Sequence, residues 1–512
     1  MPAHAPAISI KGVSKSFGSV VANRNICVDV MPGTIHGIIG ENGAGKSTLM
    51  SILFGHFAAD SGDIFVNGER VKISTSQDAI SVGIGMVFQH FKLVDNFTVL
   101  ENIVLGAKTK ASLGQTVENA KEVLGQLSDD YGLAIDQDAV ISDLGVGMQQ
   151  RVEILKALYR DAQILILDEP TGVLTPKEAD QLFAILNRLR DEGKTIILIT
   201  HKLREIMDIT DTVSVMRRGE LIETLPTADS SPEKLAELMV GRKVILQVRK
   251  TKAKPGRAVL EIDGLDISDA QGVRRVKDVT LDVHAGEILG IAGVSGNGQS
   301  ELLNALGGYL AAQGSIKLNG KPLPLVRRGA DAASRRAAGI GHIPEDRHRE
   351  ALILQHTAWE NIAFGYHQNP AFKRAGFLMN KAAIQAETRS KMQRFDVRPP
   401  DPLLQAKNFS GGNQQKLVVA REIENEPDLL LVGQPTRGVD IGAIEFIHSQ
   451  IIALRDRGKA ILLVSVELDE ILALSDRVIV MFDGQVMGLR ETSQTNASEL
   501  GLLMAGIQKE AV

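Results

Sequence analysis

The run Gly40-Glu41-Asn42-Gly43-Ala44-Gly45-Lys46-Ser47-Thr48 brings together in one loop the groups that a bound phosphate requires. Its glycines let successive backbone N–H groups turn inward around an anion, and a following helix would present its positive N-terminal end to the same group. Lys46 can reach the β- and γ-oxygens of a nucleotide, and Ser47 offers a hydroxyl to Mg2+, as the spacing G-x-x-x-x-G-K-[ST] requires. The pattern recurs 253 positions further on as Gly293-Val294-Ser295-Gly296-Asn297-Gly298-Gln299-Ser300, where Gln299 replaces the lysine. A second group of candidates closes the apolar run Ile164-Leu165-Ile166-Leu167, namely Asp168 and Glu169. Beside a phosphate loop such an aspartate supports the shell of a divalent cation, and the adjacent glutamate can polarise an attacking water. His201 follows another apolar run, Thr195 to Thr200, and would lie near a γ-phosphate if both runs end at one sheet edge.

These groups converge only if short buried strands deliver them. Thr34-Ile35-His36-Gly37-Ile38-Ile39 predicts the strand before the loop, and Leu49 to Phe57 predicts an apolar helix after it. Elsewhere, too, short Ile/Val/Leu runs alternate with helical stretches, which predicts a mainly parallel sheet covered by helices. The internal repeat divides the 512 residues into two homologous halves, 1–245 and 258–512, joined by a linker over 246–257. Each half is long enough to bury about 70–75% of its unfolded surface. The basic stretch Arg249 to Arg257, with its Pro255-Gly256 breaker, reads as a solvated connector.

Net charge is −5 with both signs interspersed, which leaves no electrostatic footprint for nucleic acid. No apolar stretch approaches the roughly 18 residues of a membrane span, and Met1-Pro2-Ala3-His4 does not begin a signal peptide, so the chain is expected to be soluble. Cys27 is the only cysteine, which excludes an intrachain disulfide and agrees with a reducing compartment; it is expected as a small core residue.

Taken together, the chain resembles the ATP-binding cassette (ABC) ATPases over essentially its whole length. The further mark of that family is a Leu-Ser-Gly-Gly-Gln-type signature opening a helix. It is intact in the second half, Phe409-Ser410-Gly411-Gly412-Asn413-Gln414, and altered in the first, Leu144-Gly145-Val146-Gly147-Met148, where Gly145 keeps the amides and loses the serine hydroxyl. The resemblance implies an α/β fold of two tandem P-loop (RecA-like) nucleotide-binding domains, each with a helical subdomain and an antiparallel β subdomain. It further implies ATP and Mg2+ as cofactors, with Ser47, Gln89 and Asp168 around the metal and Phe17 stacking on adenine. Glu345 is the counterpart of Gln89, Gly433 and Gln434 of Asp168 and Glu169, Val466 of His201, and Thr175 of Asp440. Trp359 reads as helical-subdomain surface near a membrane partner, with packing the equal alternative.

Cassettes of this family pair head to tail, so the resemblance sorts these residues into two composite sites. One takes Lys46, Ser47, Gln89, Asp168, Glu169 and His201 with Ser410 to Gln414 and Asp440, and every part is intact. The other takes Gln299, Ser300, Glu345, Gly433, Gln434 and Val466 with Gly145, Gly147, Met148 and Thr175, and retains only Ser300 and the glycines. One hydrolytic and one non-hydrolytic site are expected. Tandem cassettes of this kind resemble importer ATPases of the simple-sugar and nucleoside type, and the disarmed Gly433-Gln434-Pro435 favours the nucleoside branch. That implies a peripheral subunit on the cytoplasmic side of the inner membrane, docked to two permease subunits and served by an extracytoplasmic solute-binding lipoprotein. A sugar importer is the alternative. A duplicated translation-factor ATPase would want two working sites and a long charged linker, and a scaffold without turnover would want neither site whole.

Overall fold

The computed structural model describes the chain except residues 1–4, 19, 89–90, 106–112, 173, 175, 244–249, 270, 295, 326–330, 376–377 and 508–512. Gln89, Thr175 and the first part of the expected linker therefore lie outside the described residues. The chain divides into two compact units, Met1–Val244 and Ile245–Val512.

In the first unit the strands run in the order Glu220–Pro226, Thr212–Arg217, Ile35–Gly40, Thr195–Thr200, Ile164–Asp168, Ile84–Val87. All neighbours are parallel except the first pair. Ile35–Gly40, Thr195–Thr200 and Ile164–Asp168 are buried throughout, which is why they read as unbroken apolar runs rather than alternating ones. A separate antiparallel sheet, Val20–Val30, Ile8–Phe17, Ser61–Val66 and Glu69–Val71, alternates between buried and exposed positions over part of its length. Helices Val99–Val104, Leu113–Tyr131 and Val146–Tyr159 pack on one another as the helical subdomain.

The second unit repeats this plan. Its main sheet runs Ile340–Ile343, Leu429–Gly433, Ala460–Ser465, Ile288–Ala292, Arg477–Phe482, Gln485–Glu491, and its antiparallel sheet is Arg274–His284, Ala258–Ser268, Gln313–Leu318, Lys321–Pro322. The sequence-based α/β expectation, including both subdomains, matches this architecture.

Two local expectations fail, the helix bounds and Cys27, and two others are refined. The helix after the phosphate loop spans Lys46–Leu53, not Leu49–Phe57. Gly45 is left-handed (φ 98°) and starts it, and Gly55 (φ 75°) ends it, with no room for a Cβ 2.2 Å from Thr75 O. Cys27 is exposed on its strand, and Trp359 is 9% exposed, packed against Ala363, Phe372 and Ile384, so packing is its role rather than surface. The described part of the basic connector is mostly exposed, as expected of a solvated segment, but it is held at Lys250 and Thr251. Lys250 hydrogen-bonds Ser475 O and pairs with Asp476 at 3.6 Å, and the buried Arg455 donates to Thr251 O at 3.0 Å. The half-buried Asp476 carboxylate meets these cations and so draws the start of the connector onto the second unit.

Candidate functional site

The first phosphate loop joins the central strand Ile35–Gly40 to helix Lys46–Leu53. Its glycines are obligatory: a Cβ on Gly40 would sit 2.4 Å from Met216 O, and one on Gly45 2.3 Å from Ala22 O. Lys46 is 5% exposed and donates to Gly40 O at 2.6 Å and Glu41 O at 3.1 Å, folded back over the loop it serves. Ser47 hydrogen-bonds Asp168, which ends the strand Ile164–Asp168. Glu169 follows in the left-handed region at φ 47°, a strained conformation for a non-glycine residue, fixed by its N–H bonding Ile199 O at 2.9 Å. That bend places Glu169 Oε1 3.0 Å from His201 Nδ1 at the end of the adjacent strand. The structure thus brings together Lys46, Ser47, Asp168, Glu169 and His201.

Burial pushes the Asp168 carboxyl up, and the neighbouring Glu169 charge adds to this against the Ser47 hydrogen bond and Lys46. Burial also pushes Glu169 up, but the His201 hydrogen bond and the charges of His201, Lys46 and Lys202 outweigh it, so Glu169 lies below the usual range. Burial lowers the Lys46 ammonium, opposed by Glu169, Asp168 and Glu41. Two adjacent carboxylates, Asp168 buried and Glu169 half-buried, beside a serine hydroxyl fit a hard divalent cation. No cluster of three or more metal-ligating side chains occurs among the described residues, so nucleotide oxygens and water would have to complete such a shell.

Phe17 ends strand Ile8–Phe17, 43% exposed, in an edge-to-face pair with Phe57 at 5.1 Å and with Lys15 5.6 Å over its ring. The corresponding strand of the second half has no aromatic at its end. There Asp269 accepts from Gln271 N at 3.0 Å and Val273 N at 2.9 Å and pairs with Arg275 at 2.8 Å, leaving a polar turn where the first half has a stacking face.

The second phosphate loop keeps the shape and exchanges the chemistry. Gly296 and Gly298 are left-handed like Gly43 and Gly45. Gln299 is buried and donates to Val294 O at 3.2 Å, the counterpart of Glu41 O, so one hydrogen bond survives and the charge does not. Gln434 retains the strained φ of 46°, yet its Oε1 accepts from Val466 N at 3.3 Å where Glu169 meets an imidazole. Ser300 Oγ donates to Glu345 at 2.6 Å, so the carboxylate missing at Gly433 arrives from the end of a neighbouring strand. A Cβ on Gly433 would lie 2.6 Å from Glu345 Cγ, which makes the glycine and the glutamate one coupled exchange. The joint departure of positions 345 and 433 from Gln89 and Asp168 was the sequence signal for it.

Ser410 caps helix Gly411–Ile423, accepting from Asn413 N at 3.4 Å, and Gly412 packs so closely on Asp440 that a Cβ would be 2.6 Å from its Oδ2. Asp440 itself caps helix Ile441–Asp456 through Ala443 N at 2.7 Å. In the first half Gly145 caps helix Val146–Tyr159 without a side chain, yet a Cβ on Gly147 would lie 2.7 Å from Glu178 Oε1. A carboxylate therefore faces the signature glycine in both halves, although from different positions in sequence.

A central phosphate loop, flanked at the same sheet edge by an Asp-Glu strand and a histidine strand and repeated once with altered groups, defines a tandem P-loop nucleoside-triphosphatase. The family described as "ABC transporter" matches residues 23–172 and 276–437. The Nucleoside import ATP-binding protein NupA of Lactococcus lactis subsp. cremoris is 48% identical over 98% of this chain and 99% of its own length. The Guanosine import ATP-binding protein NupO of Bacillus subtilis is 49% identical over 98% of each chain. The Glucose import ATP-binding protein TsgD13 of Haloferax volcanii is 41% identical over 98% of this chain and 96% of its own. The chain belongs to the ABC transporter family, as an ATPase subunit coupled to transport.

The Gly433–Glu345 exchange yields a direct test. Gly433→Asp alone should lower stability by about 2–4 kcal/mol, because it overpacks the site and sets two carboxylates side by side. Adding Glu345→Ala should restore most of the unfolding midpoint. A Gly433→Asp chain as stable as the parent would show that the two positions are independent.

Proposed function

We propose that this chain hydrolyses ATP to energise import of nucleosides, with catalysis carried by the first half's phosphate loop. The observation that carries the catalytic assignment is the Glu169–His201 pair at 3.0 Å beside Lys46, Ser47 and Asp168, where the second half holds Gln434 against a backbone N–H. In this reading Glu169 accepts a proton from the attacking water, His201 orients that carboxylate and contacts the γ-phosphate, and Lys46 offsets the charge on the transferring group. Ser47, Gln89 and Asp168 hold Mg2+, which polarises the phosphate oxygens when bound. Phe17 supplies the base-stacking face, and Ser410 to Gln414 with Asp440 complete the site as in the family pairing. The second half's phosphate loop binds nucleotide weakly, if at all.

Nucleosides are favoured because the nucleoside and guanosine import proteins are 48% and 49% identical to this chain, against 41% for the glucose import protein. A sugar importer is the second reading, supported by that same glucose relative. The subunit sits on the cytoplasmic face of the membrane, held by two permease subunits and served by a solute-binding lipoprotein. No helix among the described residues is long and apolar enough to cross the bilayer.

Glu169→Gln should lower ATP turnover about 10²–10⁴-fold, as expected on losing a positioned base, whereas Gln434→Ala should leave it within about threefold. Turnover retained in the first variant and lost in the second would reverse the assignment.

The raised Asp168 and lowered Glu169 predict how the rate fails in acid. As pH falls, Asp168 takes up a proton before Glu169 does, and Mg2+ competes for the same carboxylate. The acid limb of the ATPase profile should therefore move to lower pH as Mg2+ is raised. A limb indifferent to Mg2+ would place the critical proton elsewhere.

Substrate class is tested with the permeases and loaded binding protein reconstituted in vesicles. Adenosine or uridine should stimulate ATP turnover, and ribose and galactose should not. Stimulation by sugars alone would overturn the nucleoside reading.

A further inference from the structure

Strand Ile340–Ile343 of the second half leads into a turn that the family motifs do not use. After Glu345 and Asp346 the backbone makes a single π-helical turn, Arg347–Ala351, a rare conformation that recurs at functional sites. Asp346 Oδ1 holds its start, accepting from His348 N at 2.9 Å and Arg349 N at 3.1 Å. The turn aims Arg347 at two loops at once. Its Nη1 donates to Arg437 O at 2.7 Å and its Nη2 to Gly438 O at 3.4 Å, the two residues that lead through Val439 to Asp440. Its Nε donates to Gln414 Oε1 at 3.4 Å, and His348 Nε2 lies 2.7 Å from the same oxygen. Gln414 Nε2 in turn donates to Ala406 O at 3.0 Å, across the turn that enters the signature. Gly411 is pressed against the guanidinium, since a Cβ there would meet Arg347 Nη2 at 2.8 Å.

Among the described residues no corresponding brace occurs at the altered signature. The first half has Phe91 and Lys92 at the two matching positions. The Phe91 side chain has no donor, and Lys92 meets helix Val146–Tyr159 through its main chain, accepting from Lys156 Nζ at 2.9 Å and donating to Glu153 at 2.7 Å. The guanidinium fork is thus confined to the half whose signature is whole. Its base is Glu345, two residues before Arg347, and Glu345 is the group that holds Ser300 of the disarmed phosphate loop.

We propose that Arg347 is a positioning residue for ATP hydrolysis, which locks the signature Ser410–Gln414 in register with the loop carrying Asp440 and is anchored through Glu345 on the second phosphate loop. A planar fork suits this task because it fixes direction to several acceptors at once, which a lysine would not. The retained shape of the disarmed loop then has a mechanical purpose. It supports the part of the second half that acts on the intact site. The proposal rests on the reading above, that Ser410 serves the hydrolytic site.

The test uses the full-length chain, with Arg347→Met, Arg347→Lys, Glu345→Ala, Ser410→Ala and the Arg347→Met/Ser410→Ala double variant. Arg347→Met and Arg347→Lys should each lower kcat by about fivefold or more, with KM for ATP within about threefold and the unfolding midpoint unchanged, since the contact matters to the transition state rather than to ATP binding. Glu345→Ala should lower kcat in the same direction. The double variant should be no slower than Ser410→Ala by more than about twofold, because both changes act through one loop. A smaller loss in Arg347→Met, a loss carried by KM or by the unfolding midpoint, full activity in Arg347→Lys or Glu345→Ala, or additive losses in the double variant would each overturn the proposal. Glu169→Gln, run in parallel, separates the two levels. If it leaves turnover intact the catalytic reading fails, whereas if it abolishes turnover and the Arg347 losses are additive, only this inference fails.

Discussion

The serine that opens each phosphate-loop helix needs a carboxylate against its hydroxyl, and the differences between the two halves follow from where that carboxylate comes from. In the first half Ser47 takes it from Asp168, at the end of the strand beside the histidine strand. Glu169 is the next residue, bent into the left-handed region and turned toward His201. In the second half Ser300 takes it from Glu345, at the end of the outermost strand. Glu345 then occupies the space above position 433, which leaves room for glycine alone and withdraws the aspartate. The loss of metal-supporting chemistry at Gly433 and the gain of a carboxylate at Glu345 are therefore one event in packing terms.

What the second half preserves is as informative as what it discards. Gln434 keeps a backbone conformation that costs on the order of 1–3 kcal/mol, although it faces the Val466 N–H rather than an imidazole. Gln299 keeps a hydrogen bond to the carbonyl that corresponds to Glu41 O. Such features persist when the surrounding fold over-determines them, and here the fold has a use for the shape. The strand end bearing Gln434 leads directly into Arg437 and Gly438, whose carbonyls receive the Arg347 fork. A relaxed loop at 434 would move those acceptors.

Much of this was legible in the sequence because the controlling groups are local. The phosphate loop, the Asp168-Glu169 strand end and the signature each occupy under ten consecutive residues, and buried parallel strands announce themselves as unbroken apolar runs. Contacts between distant segments were not legible. Nothing in the order of residues shows that Glu345 reaches Ser300, or that Arg347 reaches Gln414 and Gly438, because those meetings depend on the order of strands in the sheet. The start of the helix at Lys46 was misplaced because its first turn opens on the polar run Lys-Ser-Thr, which carries no apolar periodicity. The basic connector is exposed as read except at its start, where Lys250 and Thr251 find partners more than 200 residues away, at Asp476 and Arg455.

The two signatures show how a group can be lost from a sequence position and retained in space. At Gly412 the facing carboxylate is Asp440, the cap of the helix beside it; at Gly147 it is Glu178, in the first turn of helix Pro176–Asp191. Either carboxylate sits at the positive N-terminal end of the helix it belongs to, so the macrodipole favours it in both positions. Each also closes on a glycine that any side chain would displace, so the close packing of signature helix on neighbouring helix survives the exchange. The serine hydroxyl has no such second source. Ser410 has its counterpart in Gly145, which caps with no side chain. Two changes that separate the altered signature from the intact one put no polar side chain at the matching position: Gly145 stands for the Ser410 hydroxyl, and Met148 for the Asn413 amide that donates to it.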